Sequence, residues 1–170
     1  MSLPRTELHA GQLLLRTGDS ISTTWWIERG LLRSFYLDEQ GRENNRGFHA
    51  EGDWVGHGLP PTPSISPCHI EAMEACVLVR LPYTTLSEML RAQPELCGLM
   101  QEAHNSLLAS HARREVSLLS HAPAERYQAF RASHANLENR VSLHHVASYL
   151  GITNVSLSRI RRRMGLTGNR

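Results

Sequence analysis

Residues 142–164 read SLHHVASYLGITNVSLSRIRRRM, and their spacing dictates two short helices that meet at a glycine. Leu143, Val146, Ala147 and Leu150 recur at i, i+3, i+4 and i+7, the apolar stripe of a helix that packs on one side. Ser142 precedes the stripe as an N-cap, and Gly151 follows it where the backbone must turn left-handed to end the helix. Thr153 then caps a second helix, which buries Leu157, Ile160 and Met164 and turns Asn154, Ser156, Arg159 and Arg163 outward. Ala147 is small where the helices cross, and Ile152 fills the angle between them. The pattern predicts a helix-turn-helix.

A major groove about 12 Å wide admits such a helix, and its early residues are the ones that reach base edges. Asn154 and Arg159 are the expected readers, since a carboxamide pairs two-fold with adenine and a guanidinium with guanine, each for roughly 1–3 kcal/mol of discrimination. Thr153 and Ser156 stand beside them; Arg161, Arg162 and Arg163 point around the helix so that only some can touch DNA, with Arg162 and Arg163 expected on phosphates. Charge points the same way. From Arg140 to Arg170 there are six arginines and no carboxylate, so this stretch carries +6 against −4 for residues 1–139, in a chain of net charge +2. A helical hairpin with a solvated arginine face is the bland alternative. The coincidence of small residue, glycine, cap and basic outer face favours DNA over it.

Upstream, the texture is helical as far back as Pro82. Tyr127 and Phe130 mark a helix after the break at Ala122-Pro123, and Leu86, Met89 and Leu90 mark a short one. Between them, Glu95 to about Leu119 holds no proline and one glycine, which predicts a long helix. Its stripe of Leu96, Met100, Ala103 and Leu107 suits packing on a twin copy or covering a neighbouring domain, and periodicity alone leaves both open. Before Pro82 the apolar runs are short: Leu13–Leu15, Trp25–Ile27, Leu31–Leu37, Ile70 and Val77–Val79. Glycines at 30, 41 and 52 are spaced by eleven, as strand-turn-strand repetition requires. An antiparallel β-roll is expected. Its clearest hairpin is Leu31–Leu37 running into Asp38-Glu39-Gln40-Gly41, and prolines 60, 61, 63 and 67 predict a surface loop.

Enzyme chemistry finds no footing, because no GxSxG, HExxH, P-loop or dinucleotide fingerprint occurs. Cys68, Cys76 and Cys97 lack CxxC spacing and read as reduced structural thiols. Ten histidines include His104 and His111 on one helical face and the adjacent His144 and His145, but neither spacing resembles a zinc site, so no metal is expected. Trp25, Trp26, Phe48, His49 and Trp54 suit core or pocket, with core as the default. No run approaches the roughly 18 apolar residues of a membrane span, and the N-terminus lacks the order of a secretory signal. A cytoplasmic protein without membrane contact is expected.

Three stretches resemble the Crp/Fnr superfamily of bacterial regulators. They are Trp26-Ile27-Glu28-Arg29-Gly30-Leu31-Leu32-Arg33, the turn Glu51-Gly52-Asp53-Trp54-Val55-Gly56, and HHVASYLGITNVSLSRIRRR near the end. The resemblance implies an α+β fold in which an antiparallel roll of cyclic-nucleotide-binding type (residues 1–93) precedes a dimerisation helix (94–121). A helix-turn-helix domain (122–170) completes it. It implies a homodimer through the 95–119 helix on a roughly palindromic operator, with recognition helices ~34 Å apart, and makes RNA polymerase a candidate partner.

Two features depart from that pattern. Where cyclic-AMP-binding members carry a glutamate and an Arg-Ser pair, this chain reads Gly56-His57-Gly58-Leu59 and Ser66-Pro67, with no arginine between Arg46 and Arg80. Gly56, His57, Gly58 and Leu59 remain the candidate ligand loop, but ordinary cyclic-AMP binding is not expected, the effector is unknown and no cofactor is called for. Residues 165–170 are also too few for the β-hairpin wing that follows the recognition helix, so a truncated or absent wing is expected. The competing function is a small-ligand-binding module whose helix-turn-helix does not act on DNA.

Overall fold

The computed structural model describes residues 3–56, 60–137 and 139–166. Two four-stranded antiparallel sheets build the first part. One runs in the order β1 (Arg5–Leu8), β10 (Cys76–Pro82), β4 (Thr23–Arg29), β7 (Trp54–Val55). The other runs β2 (Leu13–Leu15), β9 (His69–Ala72), β5 (Leu32–Leu37), β6 (Glu43–His49). A two-stranded piece pairs β3 (Ser20–Ile21) with β8 (Ser64–Ile65). This is the antiparallel jelly roll expected. Between Pro63 and Pro67, where a bare loop was predicted, two residues pair as β8, because Ser64 and Ile65 keep the backbone groups that their proline neighbours lack.

The predicted hairpin forms with Leu37 opposite Glu43. Its turn is held by Asp38, whose carboxylate accepts the backbone N–H of Gln40 (3.0 Å) and of Arg42 (2.9 Å) and the Arg42 Nε–H at 2.7 Å. These donors hold the Asp38 carboxyl below its ordinary pKa. Gly30 at the β4–β5 corner has φ of 104°, and a Cβ there would lie 2.5 Å from Cys76 Sγ and 2.8 Å from the Ala75 carbonyl. Only glycine fits. The Gly30 N–H also donates to Glu51 Oε1 at 2.8 Å, which ties this corner to the turn at Gly52.

The roll's core gathers Leu15, Ile21, Ile27, Leu32, Val55, Ile70, Leu78 and Tyr83. Strand β5 is buried on both faces: Leu32 and Ser34 face this core, and alternation puts Arg33 and Phe35 on the opposite side, where they are also buried. Arg33, 4% exposed, is matched by carboxylates. Its Nε–H donates to Glu71 at 2.6 Å, one terminal nitrogen pairs with Glu43 at 2.6 Å, and another hydrogen bond reaches Asn45 at 3.1 Å. Its guanidinium also lies over the Phe35 ring, 4.2 Å from the centroid. Of the aromatics expected inside, Phe48 is buried but Trp54 is 54% exposed, since β7 lies at the edge of its sheet and pairs only with β4.

The helices are α1 (Tyr83–Ala92), α2 (Leu96–Ser120), α3 (Pro123–Ser133), α4 (Leu143–Leu150) and α5 (Asn154–Arg163), with a 3-10 turn at Ala135–Leu137. In α1, Leu86 is buried, whereas Met89, expected on the same stripe, is exposed. Helix α2 contains no buried residue along its 25 positions. The chain forms two compact units, residues 1–107 and 108–170, and the division falls within the helix that the sequence reading set apart as 94–121.

Candidate nucleic-acid interface

The second unit takes its local shape from its caps. Ser142 Oγ accepts the His145 N–H at 3.4 Å to start α4, and Thr153 Oγ1 accepts the Ser156 N–H at 3.2 Å to start α5. Gly151 has φ of 66° and ψ of 37°, the left-handed cap predicted, and the Ile152 N–H returns to the Ala147 carbonyl at 3.0 Å. Val146, Ala147 and Leu150 of α4 and Leu157 and Ile160 of α5 form the buried contact between the helices. Two sequence assignments need correction. Leu143 is 44% exposed, because it opens the first turn of α4 and projects beyond the contact, and Met164, just past the end of α5, is half-buried.

On the outer side of α5, Asn154, Val155, Ser158, Arg159, Arg162 and Arg163 are exposed, and Ser156 is half-buried. Among the described residues, Arg159, Arg162 and Arg163 have no ion-pair partner. Asn154 is engaged: its side-chain amide donates to Nδ1 of His144 at 3.2 Å. The sequence reading missed this neighbour, which joins the first turn of α4 to the first turn of α5.

Arg161 behaves differently from the arginines on either side. It turns inward, donates to the hydroxyl of Tyr127, which is 1% exposed, and donates to the Leu166 carbonyl at 3.3 Å. The signal for this lay in the spacing, because position 161 stands four residues after Leu157 and three before Met164, on the apolar side of α5. Tyr127, 34 residues away on α3, could not be assigned as its partner from the motif alone.

In the roll, the candidate ligand loop is visible only at its first member. Gly56 has φ of 138° beside Thr23 and Thr24; His57, Gly58 and Leu59 lie outside the described residues, as do 167–170, where most of the wing expectation falls. Among the described residues of the roll, the buried arginine is Arg33, which is paired with Glu71 and Glu43. Burial pushes the thiols of Cys68 and Cys76 and the hydroxyl of Tyr83 up from their ordinary pKa values, so none of the three serves as a ready nucleophile. Among the described residues, no group of three or more histidine, cysteine or acidic side chains is placed to hold a metal. None of the described helices is long and apolar enough to cross a membrane.

A jelly roll is thus followed in the same chain by a capped helix-turn-helix with a basic outer face. Residues 5–93 match the cyclic nucleotide-binding domain, and the chain belongs to that family. It is 24% identical over 164 residues to the anaerobic regulatory protein of Haemophilus influenzae, covering 90% of this chain and 63% of that one. It is 26% identical over 175 residues to the fumarate and nitrate reduction regulatory protein of Escherichia coli K12, covering 95% and 68%. The chain thus spans about two thirds of the length of these curated relatives. Among solved structures, FixK2 from Bradyrhizobium japonicum superposes with a TM-score of 0.87 at 17% identity, covering 99% of this chain and 89% of that one. The c-di-GMP responsive global regulator CLP of Xanthomonas campestris gives 0.78 at 17%, covering 99% and 90%. These relatives are named as regulators, not as enzymes.

Proposed function

We propose that the chain is a sequence-specific transcription regulator that works in the cytoplasm as a homodimer on a roughly palindromic operator. The observation that carries this is the outer face of α5, where Asn154, Arg159, Arg162 and Arg163 are exposed while Leu157 and Ile160 anchor the opposite side. Asn154 and Arg159 read base edges, Thr153 and Ser156 flank them at the helix start, and Arg162 and Arg163 take phosphates. Helix α2 supports the dimer. A 25-residue helix with Leu99, Leu107, Val116 and Leu119 exposed needs a cover, and a second copy of itself supplies one. RNA polymerase is the further partner such a regulator addresses.

The roll acts as the effector domain, with Gly56, His57, Gly58 and Leu59 as the candidate loop and without ordinary cyclic-AMP binding. A calorimetric titration is expected to show no sub-micromolar binding of cyclic AMP. The decisive experiment for the main reading is selection of bound sequences from random duplex DNA by the purified protein. Recovery of an inverted repeat with half-sites about one turn, ~34 Å, apart is expected. Recovery of no preferred sequence, with binding indifferent to salt, would favour a ligand-binding module that does not act on DNA.

A further inference from the structure

Within the second unit, a groove of about 430 Å³ opens between the last turns of α2, α3 and the end of α4. Among the described residues its lining includes three guanidiniums, those of Arg113, Arg114 and Arg126, together with His134, and no carboxylate. Phe130 and Tyr149 floor it. We infer that this groove is a binding site for a small phosphate-bearing anion, separate from both the reading face of α5 and the β-roll.

The argument rests on the state of its arginines. Arg126 uses one terminal nitrogen to donate to the Leu118 carbonyl at 3.0 Å, which orients the side chain, while its Nε–H is buried and has no acceptor. A buried donor without a partner destabilises the fold, and an anion oxygen in the groove removes that cost. Arg113 is exposed and has no ion-pair partner among the described residues. Arg114 is fixed differently, stacked over Tyr149 with its guanidinium carbon 4.0 Å from the ring centroid. Arg126 and Arg113 thus offer donors to an incoming anion, and Arg matches phosphate with paired donors. The volume falls within the roughly 300–1,000 Å³ of small-molecule pockets. Because the lining joins the end of α2 to α3 and α4, an occupant would brace the elements that carry α5.

The test titrates the full chain with inorganic pyrophosphate at constant ionic strength by isothermal calorimetry, beside Arg113→Gln, Arg126→Lys and, as a charge control on α1, Arg91→Gln. One pyrophosphate per chain is expected, saturating below about 10 mM and weakened about tenfold or more by either groove variant but not by the control. Arg113 is exposed, so its variant decides the matter even if Arg126→Lys misfolds. The proposal is overturned by a lack of saturation, by Arg113→Gln binding like the parent, or by equal weakening in Arg91→Gln. It is also overturned if Arg113→Gln lowers affinity for every duplex yet leaves the pyrophosphate isotherm unchanged, which would assign the groove to the DNA backbone.

Discussion

Arginine plays opposite parts in the two units. In the roll, Arg33 is buried and answered by Glu71, Glu43 and Asn45, so its charge is a structural component. On α5, Arg159, Arg162 and Arg163 stand in solvent with no acidic partner among the described residues, so their charge is left available. Net charge therefore says little about function, whereas the neutralisation of each charge says a great deal. Arg161 shows that the distinction is made residue by residue, since within one run of three it alone is taken up by the fold.

The comparison is tested most severely at Arg33. Replacing it with methionine leaves Glu71 largely buried without its counter-ion, and a loss of about 3–5 kcal/mol is expected in denaturant unfolding, partly restored by adding Glu71→Gln. A loss as small as that of a surface arginine would break the contrast. Arg159→Ala is expected to leave stability within about 0.5 kcal/mol while removing roughly 1–3 kcal/mol of discrimination at one base position. Arg162→Ala should instead lower affinity for all sequences and reduce the salt slope by about one, as quantitative binding at several salt concentrations would reveal. Identical behaviour of the two variants would mean that α5 has no reading edge.

A third expectation concerns the joint. Gly151→Ala forces a side chain into a left-handed backbone and brings Cβ to 3.4 Å from Leu118 Cδ2, for a loss of about 1–2 kcal/mol in thermal unfolding. The smallest effect is at the Asp38 turn. Its carboxyl is held down mainly by the Arg42 backbone N–H, so its contribution is complete above the ordinary carboxylate pKa and fades as pH falls through the depressed one. Amide exchange at Gln40 and Arg42 should quicken in that acidic window, and Asp38→Asn should remove the pH dependence.

Much of the fold was legible because its signals are local. Ser142, Gly151 and Thr153 act within three or four residues of themselves, and the Asp38 turn closes within four. Arg33 was not legible, because strand β5 is buried on both sides and alternation no longer separates inside from outside. Its partners sit on two other strands, with Glu71 38 residues away. Met89 and Leu143 misled for the converse reason: helical spacing gives a direction but not the length of the surface that covers it. The helix-turn-helix that carries the candidate site was legible as a motif but its surface was not, since His144 beside Asn154 follows from how two helices cross.

The Tyr127 hydroxyl that holds Arg161 has a consequence for anyone wishing to re-engineer specificity. It works as a keyway, fixing the angle of roll of α5 about its own axis, although it belongs to a different helix and is buried away from solvent. Transplanting residues 142–164 onto another scaffold would carry the letters of the code without its alignment pin. A graft that keeps the tyrosine should present the same edge of the cylinder to its target; one that omits it would leave that edge free to rotate.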